Sequence, residues 1–173
     1  MALKGSGSDV ASSFIEAAAA DTDGISVAAS ISGAANLTIG GALASGGSVT
    51  MDCPRNVTIL SAADDSGITF TVTGTDESGD AQTEAITGAD TGTATGSSFF
   101  QTVTQIATSG SSAGNVSAGS GTSCCGVISV ARCRLRGIYV VNGSGAATIV
   151  FREGSGTGTI RMQFATVAGA STN

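Results

Sequence analysis

Acidic side chains in one turn-like segment are the first candidates for chemistry in this sequence. Asp76, Ser78 and Asp80 occupy alternate positions, the ligand spacing at the start of a calcium-binding EF-hand loop. The sixth position of such a loop is Ala81 instead of glycine, and the twelfth is Thr87 instead of glutamate. No helix-forming segment flanks the loop, so the motif fails. A hairpin turn over 76–80 is therefore preferred to a cation site.

Paired carboxylates are the second candidates, because two of them can hydrolyse a glycosidic bond. Asp64 and Asp65 are adjacent, but they also lie in a segment that favours a turn. His and Trp are absent, which excludes Ser/His/Asp and Cys/His catalysis and His-based zinc sites. The single lysine, Lys4, stands in no phosphate-binding loop motif. The sequence predicts neither an enzyme nor a cofactor nor a metal site.

Alternating arginines are the third group. Arg132, Arg134 and Arg136 share one face if they lie on a strand. This row is interpreted as a solvated sheet face, as a row of salt bridges between subunits, or as a nucleic-acid contact. The last interpretation lacks the interleaved aromatic residues that such contacts use. Together with Arg161, the three arginines are candidate subunit-interface residues.

The charge distribution supports contact between copies of the chain. Residues 1–123 hold Lys4 and Arg55 against 12 acidic residues, whereas residues 124–173 hold five arginines against Glu153 alone. The acidic larger part argues against nucleic-acid binding by the whole chain. A basic segment of this kind docks more readily onto an acidic neighbour, such as a second copy.

The four cysteines are Cys53, Cys124, Cys125 and Cys133, and their spacing matches no standard zinc pattern. The plain interpretation is that they are small buried apolar residues. A disulfide from Cys53 to Cys124 or Cys125 stays open as an alternative.

The composition predicts a thin core. Gly, Ala, Ser and Thr make up more than half of the 173 residues, and aromatic residues are only 4%. A monomer of this composition buries few large side chains, so packing between copies is a natural source of further burial. The N-terminus lacks the apolar stretch of a secretory signal, and no apolar run approaches the ~20 residues of a membrane span.

The spacing of apolar and turn residues predicts an all-β protein, with an antiparallel sandwich or barrel-like domain over residues 25–122. Residues 1–24 form an N-terminal arm, in which Ser12–Ala20 is either a short helix or extended. Strands are predicted over these runs: Ile25–Ile31, Asn36–Ile39, Ser48–Asp52, Asn56–Ser61, Ile68–Thr73, Ala81–Ile86, Ser98–Ile106 and Asn115–Ala118.

One strand pair is predicted in detail. Ile68, Phe70 and Val72 should face the core while the intervening threonines face solvent. Through the turn at 76–80, this strand should pair with residues 82–87.

Residues 119–126 are predicted to be a linker to a smaller β unit over 123–173. Its predicted strands form a three-stranded meander: Leu135–Val141, Ala147–Arg152 and Thr159–Thr166. Ile160, Met162 and Phe164 should face inward, and Arg161 outward. So small a unit must lean on the first domain or on another subunit.

Three stretches resemble modules of known proteins. Residues 54–110 begin PRNVTILSAADDSGITFTVTGTD and resemble a recurring β module in small virion structural proteins of tailed bacteriophages. Residues 35–50, ANLTIGGALASGGSVT, fit the same pattern, and residues 136–158, RGIYVVNGSGAATIVFREGSGTG, resemble another short module of such proteins. The resemblance covers about two thirds of the chain and implies a particle component without enzymatic activity.

The expected function is that of a capsid decoration or cement protein that binds the assembled head lattice. Its partners would be the major capsid protein or other virion proteins, with no membrane and no nucleic acid involved. It would be a homo-oligomer, for which a trimer at lattice symmetry axes is a plausible form. It would be located in the virion, after assembly in the host cytoplasm. The alternatives are a tail tube, tail-completion or fibre-associated protein, and a host-surface binding module using the turns at 64–66, 76–80 and 88–96.

Overall fold

The computed structural model describes residues 18–126, 140–141, 145–153, 158–166 and 171–172. These residues form strands and turns and no helix, which confirms the predicted all-β class. The predicted helix lies mostly outside the described residues, and its last three residues, 18–20, are not helical.

A seven-stranded antiparallel sheet forms most of the molecule, with the order β1-β7-β3-β6-β4-β5 and with β2 paired to β3. Its strands are β1 (Asp21–Ser30), β2 (Ala44–Ser45), β3 (Ser48–Asp64), β4 (Thr69–Thr75), β5 (Ala81–Thr87), β6 (Asp90–Thr108) and β7 (Asn115–Cys124). Four strands follow: β8 (Val140–Val141), β9 (Thr148–Arg152), β10 (Ile160–Ala165) and β11 (Ser171–Thr172). They form two small sheets, β9 with β10 and β8 with β11.

The long strand β6 pairs with two neighbours along different stretches of its length. From Asp90 to Val103 it pairs with β3, and from Thr102 to Thr108 it pairs with β4. Side chains of the terminal strand β5 reach back to the first half: Gln82 Nε2 donates to the Phe99 carbonyl at 2.8 Å. Because β5 contacts β6 across the intervening strand β4, the sheet curves around its core.

The core lies inside this curl and contains mainly β-branched and aromatic residues, as the period-two pattern requires. Phe70 and Val72 of β4 are completely buried while Thr71 is exposed, which confirms the predicted faces of this strand. The predicted pairing is also confirmed, with an unbroken register from Thr69↔Thr87 to Thr75↔Ala81. The remaining members of the cluster are Ile25, Leu37, Val49, Met51, Val57, Ile59, Ile86, Phe100, Val103, Ile106, Val116 and Ala118.

The prediction of two strands flanking Pro54 is wrong, since β3 runs through it. The register jumps from Thr50↔Thr102 to Arg55↔Phe100, so β3 carries extra residues opposite β6 at this bulge. Proline is tolerated in a bulge because its missing N–H leaves no ladder bond broken. Gln101 Nε2 donates to the displaced Met51 carbonyl at 2.7 Å, which replaces a lost backbone bond.

Three further expectations are corrected. Residues 119–124 are not linker but the second half of β7, which pairs with both β1 and β3. Residues 90–96 are not part of a turn but the start of β6. Residues 36–39 make a single bridge, Asn36↔Ala107, although Leu37 is buried. In the first two cases tertiary packing accommodates small residues that favour turns in isolation.

The C-terminal prediction holds in part. Strands β9 and β10 match two of the predicted strands, and the residues 135–139 of the third lie outside the described range. Val140 and Val141 pair with Thr172 and Ser171, so the predicted meander is wrong at this point.

Gly119 provides a test of the packing of β7 against β1, because a methyl group there would overlap the Asp21 carbonyl oxygen. We expect Gly119→Ala to lower the free energy of unfolding by about 3 kcal/mol, at the upper end of overpacking effects, since backbone must move. Gly67→Ala is the control, because the space around Gly67 is open. Urea denaturation of both variants measures the difference, and equal stabilities would contradict this packing.

Candidate functional site

Of the four predicted interface arginines, the structure describes one, Arg161. Arg132, Arg134 and Arg136 lie outside the described residues. Arg161 of β10 forms an ion pair with Glu153, with Nε 2.8 Å from Oε2. Both side chains are nearly two-thirds exposed, at 64% and 63%. An exposed pair of this kind contributes little to stability, so Arg161 can exchange Glu153 for a carboxylate on another molecule.

The hairpin of β9 and β10 also carries apolar side chains on one of its faces. Met162 lies opposite Phe151, and Phe164 opposite Ile149, so the four share one face. The rings of Phe151 and Phe164 stack with centroids 6.1 Å apart. Met162 is nevertheless 43% exposed and Ile160 48% exposed, although both were predicted to face inward. The described residues therefore leave part of an apolar face uncovered.

Sequence analysis missed a strongly organised polar group within the described residues, the buried guanidinium of Arg55. Its residue is 2% exposed, and its Nε and Nη2 donate to the two Asp52 carboxylate oxygens at 2.8 and 3.0 Å. Its Nη1 donates to the Gly121 carbonyl at 3.0 Å, and Nη2 also donates to the Ala18 carbonyl. A lone arginine within an apolar strand pattern, three residues after an aspartate, was the available signal.

This guanidinium ties three segments together: the bulge of β3, the end of β7 and the chain entering β1. Ala18 is held twice, because its N–H also donates to Asp52 Oδ2 at 2.6 Å. The hydrogen bond from Arg55 holds the pKa of Asp52 well below its usual range, while partial burial acts in the opposite direction. We call this arrangement the Arg55 clamp, since the guanidinium is buried and each of its three nitrogens donates to an oxygen of the protein.

The acidic turns also serve the fold. Asp76 Oδ1 accepts the N–H groups of Ser78 and Asp80 at 2.8 and 3.0 Å. Asp64 Oδ1 accepts the N–H and the hydroxyl of Ser66 at 3.0 and 2.6 Å, which lowers the pKa of Asp64. These are the local bonds by which aspartate stabilises turns. The hairpin-turn interpretation of residues 76–80 is confirmed.

Two further carboxylates are held by backbone donors. Asp65 is completely buried, and its Oδ1 accepts the Ala113 N–H at 2.7 Å. Glu84 Oε1 accepts the N–H and hydroxyl of Ser97 at 2.6 and 2.9 Å and the Ser98 N–H at 3.2 Å. Their second oxygens, Asp65 Oδ2 and Glu84 Oε2, are buried without a hydrogen-bond partner among the described residues. Asp65 is held by residues 89 and 113, whereas Glu84 is held by Ser97 and Ser98, so different segments fix the two carboxylates.

A shallow depression of about 230 Å³ lies over β3, β6 and β7. Its lining carries hydroxyl and amide groups, from Thr22, Asn56, Thr58, Thr93, Thr95, Ser120 and Thr122. None of the described residues that line it has a carboxylate, thiol or cationic group, so these residues offer polar contacts only. Within the described ranges, no three His, Cys, Asp or Glu side chains are grouped so that they could hold a metal ion.

Comparison of the chain with protein-family models, with curated proteins and with solved structures gives no match. In the part of the chain that the structure describes, no helix is long and apolar enough to cross a membrane.

The Asp52–Arg55 pair predicts a specific acid sensitivity. Because the folded-state pKa of Asp52 lies below its ordinary value of 3.8, its contribution is fully present above about pH 5 and is lost as pH falls toward the folded-state pKa. We expect Asp52→Asn to cost about 2 kcal/mol at pH 7. This is less than the ~3–5 kcal/mol of a fully buried pair, because the Asp52 side chain is 34% exposed.

The measurement is chemical denaturation of wild type and variant between pH 7 and pH 2. The difference between them should shrink as the pH falls below about 4, because protonation removes the same interaction in the wild type. Asp23→Asn is the control, since Asp23 is exposed and makes no ion pair in the described part of the chain. A constant difference across this range would contradict the assignment.

The hydrogen bonds in the turn at residues 76–80 predict how much the Asp76 carboxylate contributes to stability. Asp76→Ala should destabilise the protein by about 1–2 kcal/mol, because two backbone donors lose their acceptor. Asp80→Ala should have a smaller effect, since the turn uses the main chain of Asp80. Thermal unfolding with excess calcium and with chelator checks the rival interpretation, which would be supported by a calcium-dependent rise in Tm lost in Asp76→Ala.

Proposed function

We propose that this chain is a structural protein of a tailed-bacteriophage virion, and that it binds the assembled head lattice as a decoration or cement protein. The observation that carries the proposal is that the main sheet and the β9–β10 hairpin use their charged and apolar side chains differently. The acidic sheet uses its ionisable groups to hold turns and strands, while the β9–β10 hairpin keeps Ile160, Met162 and the exchangeable Arg161 exposed. Resemblance of residues 35–50, 54–110 and 136–158 to phage virion modules supplies the biological setting.

An open sheet edge supports the same proposal. Strand β5 ends the sheet, so one row of its backbone N–H and C=O groups has no strand partner among the described residues. It contains neither proline nor lysine, the residues that usually protect an edge, and its one charged side chain, Glu84, is held by Ser97. Such an edge is suited to pairing with a strand of a neighbouring subunit.

The mechanism follows from these two surfaces. Apolar side chains of the hairpin and the backbone of β5 would be buried across subunit boundaries, which stabilises both the chain and the lattice against internal DNA pressure. The arginines Arg132, Arg134, Arg136 and Arg161 would pair with acidic surface on a neighbour. A homo-oligomer, such as a trimer at a lattice symmetry axis, would combine several copies of each surface.

The test is addition of the purified full-length chain to phage particles that lack it, followed by sedimentation and heat challenge. We expect the wild type to bind to heads and to raise the temperature at which they break. Met162→Glu should fold with an unchanged Tm but bind at least about tenfold more weakly, because a charge would be buried at the interface. Thr71→Glu, on the exposed outward side of β4, is the matched control and should bind as wild type does.

Imaging of labelled particles distinguishes the alternatives, since label on the tail alone would favour a tail tube, tail-completion or fibre-associated protein. Binding to host cells instead of particles would favour a recognition module. Against that module, the Asp76 side chain of the turn at 76–80 is committed to internal hydrogen bonds, and residues 90–96 are strand.

A further inference from the structure

Three cysteines converge where β7 ends. Cys53 lies in the bulge of β3 and is buried, while Cys124 and Cys125 close and follow β7 and are half-buried. Cys124 is the register partner of Arg55, and the Cys125 N–H donates to the Pro54 carbonyl at 2.9 Å. The backbone of the two segments is therefore fixed on both sides of these thiols.

Strand geometry distinguishes the two neighbouring cysteines. Arg55 is the register partner of Cys124, and side chains two residues apart on a strand share a face, so Cys53 lies on the same face as Cys124 and diagonally opposite it. Burial raises the pKa of the Cys53 thiol, and the neighbouring Cys124 thiol raises it further. Cys125, one residue further along the chain, lies toward the opposite face, and burial raises the pKa of its thiol to about 12. Vicinal cysteines also rarely bond to each other, because the required geometry strains the peptide between them.

We propose that Cys53 and Cys124 are a disulfide site, which closes when the folded protein meets a low-molecular-weight disulfide. In the first step the thiolate of Cys124, the more exposed of the two sulfurs, attacks the reagent and releases one thiol. In the second step Cys53 displaces the other half of the reagent. One S–S bond forms within the protein, one is broken in the reagent, and the two protons of the cysteines end on the two released thiols.

The kinetics follow from the position of each sulfur. Burial, together with the neighbouring Cys124 thiol, raises the pKa of Cys53 to about 12. Little thiolate is present there at neutral pH, so the second step should be the slower one and should accelerate with rising pH. The charge of Asp52 raises the pKa of Cys53 further, whereas the charge of Arg55 lowers it.

The bond would lock the clamp around Arg55. It would join β3 to the end of β7, two segments that Arg55 already links by hydrogen bonds to Asp52 and Gly121. Closing so long a stretch of chain restricts the unfolded state strongly. The site stands independently of the proposed function; if the chain is a virion protein, it would remain reduced in the host cytoplasm and close after release.

The experiment uses full-length protein incubated with oxidised glutathione. Thiol titration under denaturing conditions should fall from the four of the sequence to two, and peptide mapping should find Cys53 linked to Cys124. The Tm should rise by roughly 5–15 °C and return when dithiothreitol is added. Peptide mapping of the wild type requires no variant, so it stays informative if a variant folds poorly.

Cys125→Ser is the matched control and should still lose two thiols and gain the full increase in Tm. Cys53→Ser and Cys124→Ser should show no intramolecular bond and no increase. A bond mapped to another pair, a bond between chains, a persistent glutathione adduct, or closure without a change in Tm would each overturn the proposal. Particle binding by the reduced wild type is measured separately, so failure of the disulfide and failure of the proposed function are distinguishable.

Discussion

The buried charge of Arg55 is the constraint on which the rest of the structure depends. Removing a guanidinium from water costs several kcal/mol, and this is offset only if its donors find well-placed acceptors. Here the acceptors come from Asp52, Gly121 and Ala18, which lie in three segments distant in sequence. The bulge of β3, the end of β7 and the start of β1 must therefore form together. The same site places Cys53 and Cys124 on one face of neighbouring strands, so the proposed disulfide would strengthen an existing junction.

At three places in the main sheet, a polar side chain hydrogen-bonds a backbone group of another strand. Gln101 serves the displaced Met51 carbonyl, Gln82 serves the Phe99 carbonyl, and Glu84 serves the N–H groups of Ser97 and Ser98. Because buried backbone groups must be paired, these side chains are what allow one sheet to curl around a core of small and β-branched residues. The polar groups of these three side chains are thereby committed to holding the sheet together.

The two ends of the chain differ in how completely they are packed. In the sheet domain, apolar side chains such as Phe70, Phe100 and Ile59 are completely buried. In the β9–β10 hairpin the two half-buried aromatic residues stack on each other, and both Met162 and the Arg161–Glu153 ion pair are exposed among the described residues. A two-stranded hairpin is marginal in water unless it packs on something larger. This difference in packing, together with the opposite charge of the two parts, is the physical basis for proposing that the chain packs against other subunits.

The sequence by itself determined the all-β class, the inward and outward faces of β4, and the hairpin closed by Asp76, because period-two alternation and turn chemistry are local properties. It misled at residues 119–124 and around Pro54, where glycine-rich and proline-containing segments have turn-like propensity. Only the tertiary structure decided that these segments are strand. Gly119 and Gly121 allow the close approach of Asp21 and Asn56, and the bulge places Pro54 where its missing N–H does no harm. Local sequence patterns could not predict the hydrogen bonds of Arg55 either, since its acceptors lie up to 66 residues away along the chain.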